Sequence, residues 1–135
     1  MLEIKLIQPS ETWEIRHRVM WADKPFEDIK LPNDDSGLHF GLFRGSTLIS
    51  VVSFFIENDV AQFRKFATET TEQGKGYGAK LLEHLIQECI ERNVKVLCCN
   101  ARTSGVGFYE KFGLEIVSDA WVKDGIEYVK MSRNL

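Results

Sequence analysis

No stretch of the 135-residue sequence approaches the roughly 18 consecutive apolar residues that a membrane-spanning helix needs. The start, Met1-Leu2-Glu3-Ile4-Lys5, also lacks the basic flank and apolar core of an export signal. A cytoplasmic protein that does not enter a membrane is therefore the expectation. Cysteine is scarce. Cys89, Cys98 and Cys99 are the whole complement, and adjacent strand residues point to opposite faces, so Cys98 and Cys99 suit neither chelation nor a disulfide. Three packed, reduced thiols are expected. His17, His39 and His84 show no metal-ligand spacing with each other or with a cysteine, which argues against a metal site. No Gly-Lys-Ser or Gly-Lys-Thr triplet occurs, excluding a standard P-loop. An excess of positive charge is missing too: 17 Lys and Arg face 20 Asp and Glu, net −3, so nucleic acid is not an expected partner.

Hydrophobic residues make up 44% of the chain and charged residues 27%, near the average for globular domains. The length predicts one domain over 1–135. The charge is unevenly placed: residues 1–60 carry six Lys and Arg against ten Asp and Glu, and residues 61–135 carry eleven against ten.

Apolar residues alternate from Leu2 to Leu6, predicting a strand, and Ser10 is the expected N-cap of a helix whose apolar residues recur through Met20. Residues 22–37 contain Pro25, Pro32, Asp34-Asp35 and Gly37, the composition of a loop. Leu38–Arg44, Thr47–Glu57 and Val60–Thr68 predict three consecutive antiparallel strands, turned at Gly45-Ser46 and Asn58-Asp59. Leu81, Leu82, Leu85, Ile86, Cys89 and Ile90 form one apolar face of a helix ending near Asn93. Val94–Cys99 is nearly continuous apolar sequence after a helix, which suggests a buried strand reached by a parallel crossover. A short helix over Ser104–Lys111 and two last strands, Leu114–Val117 and Ile126–Arg133 joined through Asp124-Gly125, complete the reading.

Gln73-Gly74-Lys75-Gly76-Tyr77-Gly78-Ala79 lies between the strand ending at Thr68 and the helix that follows. The first amides of a helix have no intrahelical acceptor and sit at the positive end of its dipole, so they bind anions readily. Glycine at 74, 76 and 78 removes side chains that would stand between those amides and a pyrophosphate. Gly74-x-Gly76-x-x-Ala79 formally matches a dinucleotide fingerprint, but the next strand ends in Cys98-Cys99-Asn100, without the acid that would hold a ribose. A nicotinamide oxidoreductase is disfavoured on that ground.

Gln73-x-x-Gly76-x-Gly78, preceded by Arg64-Lys65-Phe66-Ala67-Thr68 and followed by Asn100-Ala101-Arg102 and Phe108-Tyr109-Glu110-Lys111-Phe112-Gly113, resembles the GNAT superfamily of acyl-CoA-dependent N-acetyltransferases in order and spacing. The resemblance implies an α/β fold with a mixed, mostly antiparallel sheet of about seven strands, a parallel splayed central pair and three to four flanking helices. It implies acetyl-CoA as co-substrate, with Phe66, Ala67 and Thr68 along the pantetheine arm and the amides of Gln73 to Ala79 cradling the pyrophosphate. Asn100 then lies at the splay and Phe108 beside the cofactor, while Tyr109 matches the tyrosine often assigned as general acid. A tyrosine of ordinary pKa near 10 is protonated at neutral pH and suits a departing thiolate.

The implied acceptor is a small primary amine or a peptide amine; the alternative is a non-catalytic acyl-CoA sensor or subunit. Asp34, Asp35, His39 and Glu69 are candidates for the base, with none fixed by a motif. Residues 23–35 carry five acids against two lysines and would form an acidic rim for a cationic amine, whereas Arg16, His17 and Arg18 suit a carboxylate or phosphate. A homodimer is left open, and Trp121 suits either an interface or the core.

Overall fold

Aromatic and β-branched residues dominate the middle of the chain, and there the computed structural model, which covers residues 1–135, builds the meander that the sequence predicts. β2 (Leu38–Arg44), β3 (Thr47–Glu57) and β4 (Val60–Thr68) run antiparallel, with β1 (Leu2–Leu6) on the outer side of β2. Gly45, at φ +61°, and Asn58, at φ +58°, supply the left-handed backbone of the two turns. A crossover through α2 (Tyr77–Glu91) then brings β5 (Val96–Arg102) parallel to β4. β8 (Ile126–Asn134) pairs antiparallel with β5, and β6 (Glu115–Ile116) and β7 (Trp121–Lys123) both pair with β8.

The sheet thus has eight strands, in the order β1-β2-β3-β4-β5-β8-β6 with β7 also on β8, where about seven were expected. The addition is β7. Asp124-Gly125, at φ +51° and +77°, turns β7 into β8 and does not join the Leu114–Val117 segment to the last strand. Alternation is unreadable in three residues, and what holds β7 is a cross-strand pair in its hairpin: Trp121 stacks on Tyr128 at 5.9 Å between ring centroids.

The helices also shift from expectation at their ends. α1 spans Pro9–Ile15, with Gln8 and not Ser10 at its N-cap; proline tolerates the first turn, and the Glu11 carboxylate accepts the Gln8 N–H at 2.7 Å. The chain then widens into a π-helix over Arg16–Met20. α3 covers only Val106–Glu110, behind a 3-10 turn at Thr103–Gly105.

α2 buries Leu81, Leu82, Leu85, Ile86 and Cys89 against β2, β3 and β4, in a core of 19 buried residues that includes the stacked rings of Phe40 and Phe54. Each fully buried leucine contributes about 1.5–3 kcal/mol. Ile15, Val51 and Ala67 form a smaller cluster under α1. All three cysteines are buried free thiols, and burial raises their pKa values: Cys98 upward, Cys89 to about 11 and Cys99 to about 12. No helix is long and apolar enough to cross a membrane.

Two irregularities in the middle of the sheet shape the site. β4 and β5 pair only at Val60–Val96, Ala61–Leu97 and Gln62–Cys98, yet β4 continues to Thr68 and β5 to Arg102, so the strands diverge from the same end. β4 also bulges: Val51 faces Ala67 and Ser53 faces Arg64, which leaves Lys65 and Phe66 opposite the single residue Val52. Lys65 takes φ +55°, an uncommon angle for a residue with a side chain and one that re-aims it out of the ladder.

Candidate active site

The diverging strands open two adjoining cavities that share Val19, Phe66 and Gln73. One, of about 460 Å³, lies over the start of α2. Phe66, Ala67 and Thr68 of β4 form one wall, Gln73, Gly74, Gly76, Tyr77, Gly78 and Ala79 the floor, and Phe108 of α3 closes the side. Gln73 donates its amide N–H to the Thr68 carbonyl at 3.0 Å, tying the loop to the strand.

The glycines here have separable reasons. Gly74 and Gly76 have φ +79° and +86°, and a Cβ on either meets no atom within 4 Å, so backbone conformation selects glycine and the space above stays free. At Gly78 a Cβ would stand 3.4 Å from the Phe66 ring, an ordinary contact, so neither backbone nor packing demands glycine there. Gly76 is the N-cap of α2 and no side chain caps that end. The open donors and the clear space suit the phosphates of a nucleotide cofactor. Lys75 alone of residues 73–79 does not line the cavity, and its ammonium pairs with Glu72 at 3.2 Å. Arg44 binds the same carboxylate at 2.7 Å, and together these cations hold Glu72 down to about 2. A long flexible side chain beside an acid pairs with it in preference to reaching over the loop.

The second cavity, of about 440 Å³, lies between the splayed strands. Gln62 to Phe66 line one limb and Cys99 to Arg102 the other, with Asn100 exposed at the divergence. Tyr109 reaches in from α3, its ring packed among Phe63 (5.6 Å), Phe66 (6.5 Å) and Phe108 (5.3 Å). Burial pushes the phenol well above its ordinary value, and the nearby Cys99 adds to this more than Arg102 offsets. The hydroxyl is therefore protonated throughout the neutral and moderately alkaline range.

None of the four expected bases lines either cavity. Asp34 is buried in a bidentate pair with Arg16, at 2.9 and 3.0 Å, and also accepts from Trp13 and the Leu31 amide. Burial alone would raise its pKa, but these hydrogen bonds outweigh it and the net direction is down. His39 is buried between the Ser53 hydroxyl and the Asp34 carbonyl, at 2.7 and 2.8 Å. Glu69 pairs with Arg18, and Asp35 is exposed on a 3-10 turn. The acidic stretch 23–35 supplies no lining residue at all, so the expected acidic rim does not face the cleft.

In its place stand residues that no local motif singles out for this cavity: Trp21 from the π-helix, Lys123 and Asp124 from the β7–β8 hairpin, and Lys65 from the bulge. The Lys65 ammonium sits 3.7 Å from the centre of the Trp21 ring. Burial lowers it to about 8, and the neighbouring Arg64, Arg16, Lys123 and Arg102 add to the shift. Trp121 also lines this cavity and lies outside the buried core.

Comparison with known proteins bears on the same elements. The acetyltransferase (GNAT) domain family matches residues 17–135. An uncharacterized N-acetyltransferase of Bacillus subtilis strain 168, YitI, is 31% identical over 135 residues, covering 93% of this chain and 91% of its own. The ribosomal-protein-S18-alanine N-acetyltransferase of Escherichia coli superposes with a TM-score of 0.84 at 21% identity, over 99% of this chain and 94% of that one. An acetyltransferase of Elizabethkingia anophelis with acetyl-CoA bound gives 0.79 at 15% identity, over 99% and 98%.

Proposed function

Since the chain belongs to the GNAT acetyltransferase family, we propose that it moves an acetyl group from acetyl-CoA to an amine acceptor by direct attack while both are bound. The divergence of β4 from β5 carries this reading. It joins a cavity floored by uncapped helix amides to one that holds a protonated tyrosine, so phosphates and thioester each have a chemically suited address in one continuous cleft.

In the reaction the acceptor nitrogen forms a bond to the acetyl carbon, the carbon–sulfur bond breaks, and the nitrogen loses one proton while the thiolate gains one. Gln73 to Ala79 hold the pyrophosphate through backbone N–H groups, and Phe66, Ala67 and Thr68 flank the pantetheine arm. Phe108 excludes water beside it, and Asn100 marks the mouth through which the thioester meets the acceptor. Tyr109 serves the leaving sulfur. A hydroxyl pushed above its ordinary pKa gives up its proton to a thiolate only uphill, since an ordinary thiol lies near 8.5. Its main contribution is thus a hydrogen bond that stabilises charge developing on sulfur, in a site where burial strengthens that bond.

The test is release of free thiol from acetyl-CoA across a panel of primary amines, beside calorimetric binding of acetyl-CoA. Amine-dependent release supports the transferase reading. Tight binding of acetyl-CoA with no release for any amine would make the protein a sensor or subunit, and no binding would overturn both.

A further inference from the structure

Four cations converge on the cavity between the splayed strands: Arg64 and Lys65 from β4, Arg102 from the end of β5, and Lys123 from β7. None of them has a carboxylate partner. Asp124 is the one carboxylate that lines the cavity.

The arrangement works against the fold. Lys65 is half-buried at a left-handed backbone position, and the three other cations all act to discharge it. Like charges gathered in a partly dry cavity repel one another until an anion enters, and such strained groups cluster where a ligand binds. In the proposed cofactor pose the pyrophosphate is not that anion, since its donors would be the amides at the start of α2, in the adjoining cavity, which none of the four cations lines. Trp21, Trp121 and Tyr128 add apolar walls, which exclude water and strengthen the field of the charges.

Resting on the transferase reading above, the geometry points to an acceptor that carries a carboxylate or phosphate group besides its amine, with that anion held by Arg64, Lys65, Arg102 and Lys123. Asp124 supplies an acceptor for the N–H groups of the other end. Arginine grips either anion through paired N–H donors, so the two chemistries share one site.

Two matched comparisons test this: the common amino acids against their C-terminal amides, and O-phosphoethanolamine against ethanolamine, each assayed by thiol release with acetyl-CoA saturating. At least one anionic acceptor is expected to exceed its uncharged partner tenfold or more in kcat/KM, and the arm in which this occurs distinguishes carboxylate from phosphate. In the double variant Arg102→Gln, Lys123→Gln, whose two side chains are exposed, that preference should fall to about twofold, mostly through KM. Equal or greater turnover of the uncharged partners overturns the anionic acceptor while leaving acetyl transfer intact. If acetyl-CoA binds but no acceptor turns over, quenching of tryptophan fluorescence decides, because Trp21 and Trp121 both line the cavity. Tighter binding of the anions than of their partners then supports the site, and no binding by any of them overturns it. Failure of acetyl-CoA to bind overturns the transferase reading itself.

Discussion

Tyr109 and Lys65 respond oppositely to burial because one is an acid whose charged form is penalised and the other a base. With its phenol raised, Tyr109 does not titrate at moderately alkaline pH. Replacing it with phenylalanine is expected to lower kcat about 10²-fold with acetyl-CoA affinity nearly unchanged. The wild-type profile should show no fall assignable to a tyrosine below about pH 10; unchanged turnover in Tyr109→Phe across pH would remove it from the reaction. Lys65, lowered to about 8, is neutral in about a tenth of molecules at pH 7. It should therefore be the lysine most rapidly modified by acetic anhydride, read by peptide mass spectrometry, and acetyl-CoA should protect it. Because its folded pKa lies below the unfolded value near 10.5, the unfolded chain binds more protons between about pH 8 and 10.5. Stability tied to this group thus increases with pH through that window. Lys65→Met should raise Tm at pH 7 by about 3 °C, after the pKa shift is discounted for solvent screening. The motif singled out Tyr109, and the structure places its side chain in the cavity. The importance of Lys65 was not legible, because a left-handed residue inside a strand leaves no local signature and arises from a register mismatch with β3.

Among elements, the glycine loop with α2 was the most legible. Its place follows from local chain order, strand then glycines then helix, and a 15-residue amphipathic helix leaves little ambiguity about which face is buried. Gly76→Ala should weaken acetyl-CoA about tenfold by calorimetry. Alanine at φ +86° costs about 1–3 kcal/mol, and its methyl projects into the space above the amides. Since that methyl meets no protein atom within 4 Å, a comparable loss of thermal stability with unchanged affinity would assign the glycine to backbone strain alone. The last hairpin was least legible. Asp124-Gly125 was recognised as a turn, but which strands it joins depends on pairing with β8, and three residues carry no periodicity. The π-helix at Arg16–Met20 was equally hidden, with Arg16 at its start bonded to Asp34, 18 residues on.

For the whole molecule, charge placement matters more than total charge. The net −3 was numerically accounted for by residues 23–35, yet that stretch lines neither cavity, and its one buried acid, Asp34, serves the fold. The pair Arg16–Asp34, with His39 and Ser53, ties the π-helix, the acidic loop, β2 and β3 together. Asp34 has a lowered pKa, so the stability it contributes is present above its unfolded value near 3.8 and is lost as pH falls through the folded one. Asp34→Asn should cost about 3–5 kcal/mol at pH 7, as expected when one partner of a buried pair is removed. Its unfolding midpoint should vary less with pH below 4 than that of the wild type. Arg16→Met with Asp34→Leu should recover much of the loss; failure to do so would mean that Trp13 and Leu31, which also bond Asp34, matter as much as the ion pair.

By itself the sequence determined the meander, the crossover helix, the glycine loop at its start and the family, because each is written in short-range order: alternation, helical spacing, a motif of six residues. Only the tertiary structure decided where β4 parts from β5, that Lys65 leaves its ladder, and that four cations line the cleft while none of the acids of residues 23–35 does. Those outcomes depend on register and on pairing between residues far apart in the chain. Local propensity does not encode such relations, and the long-range contacts that set them also determine which charges face the cleft.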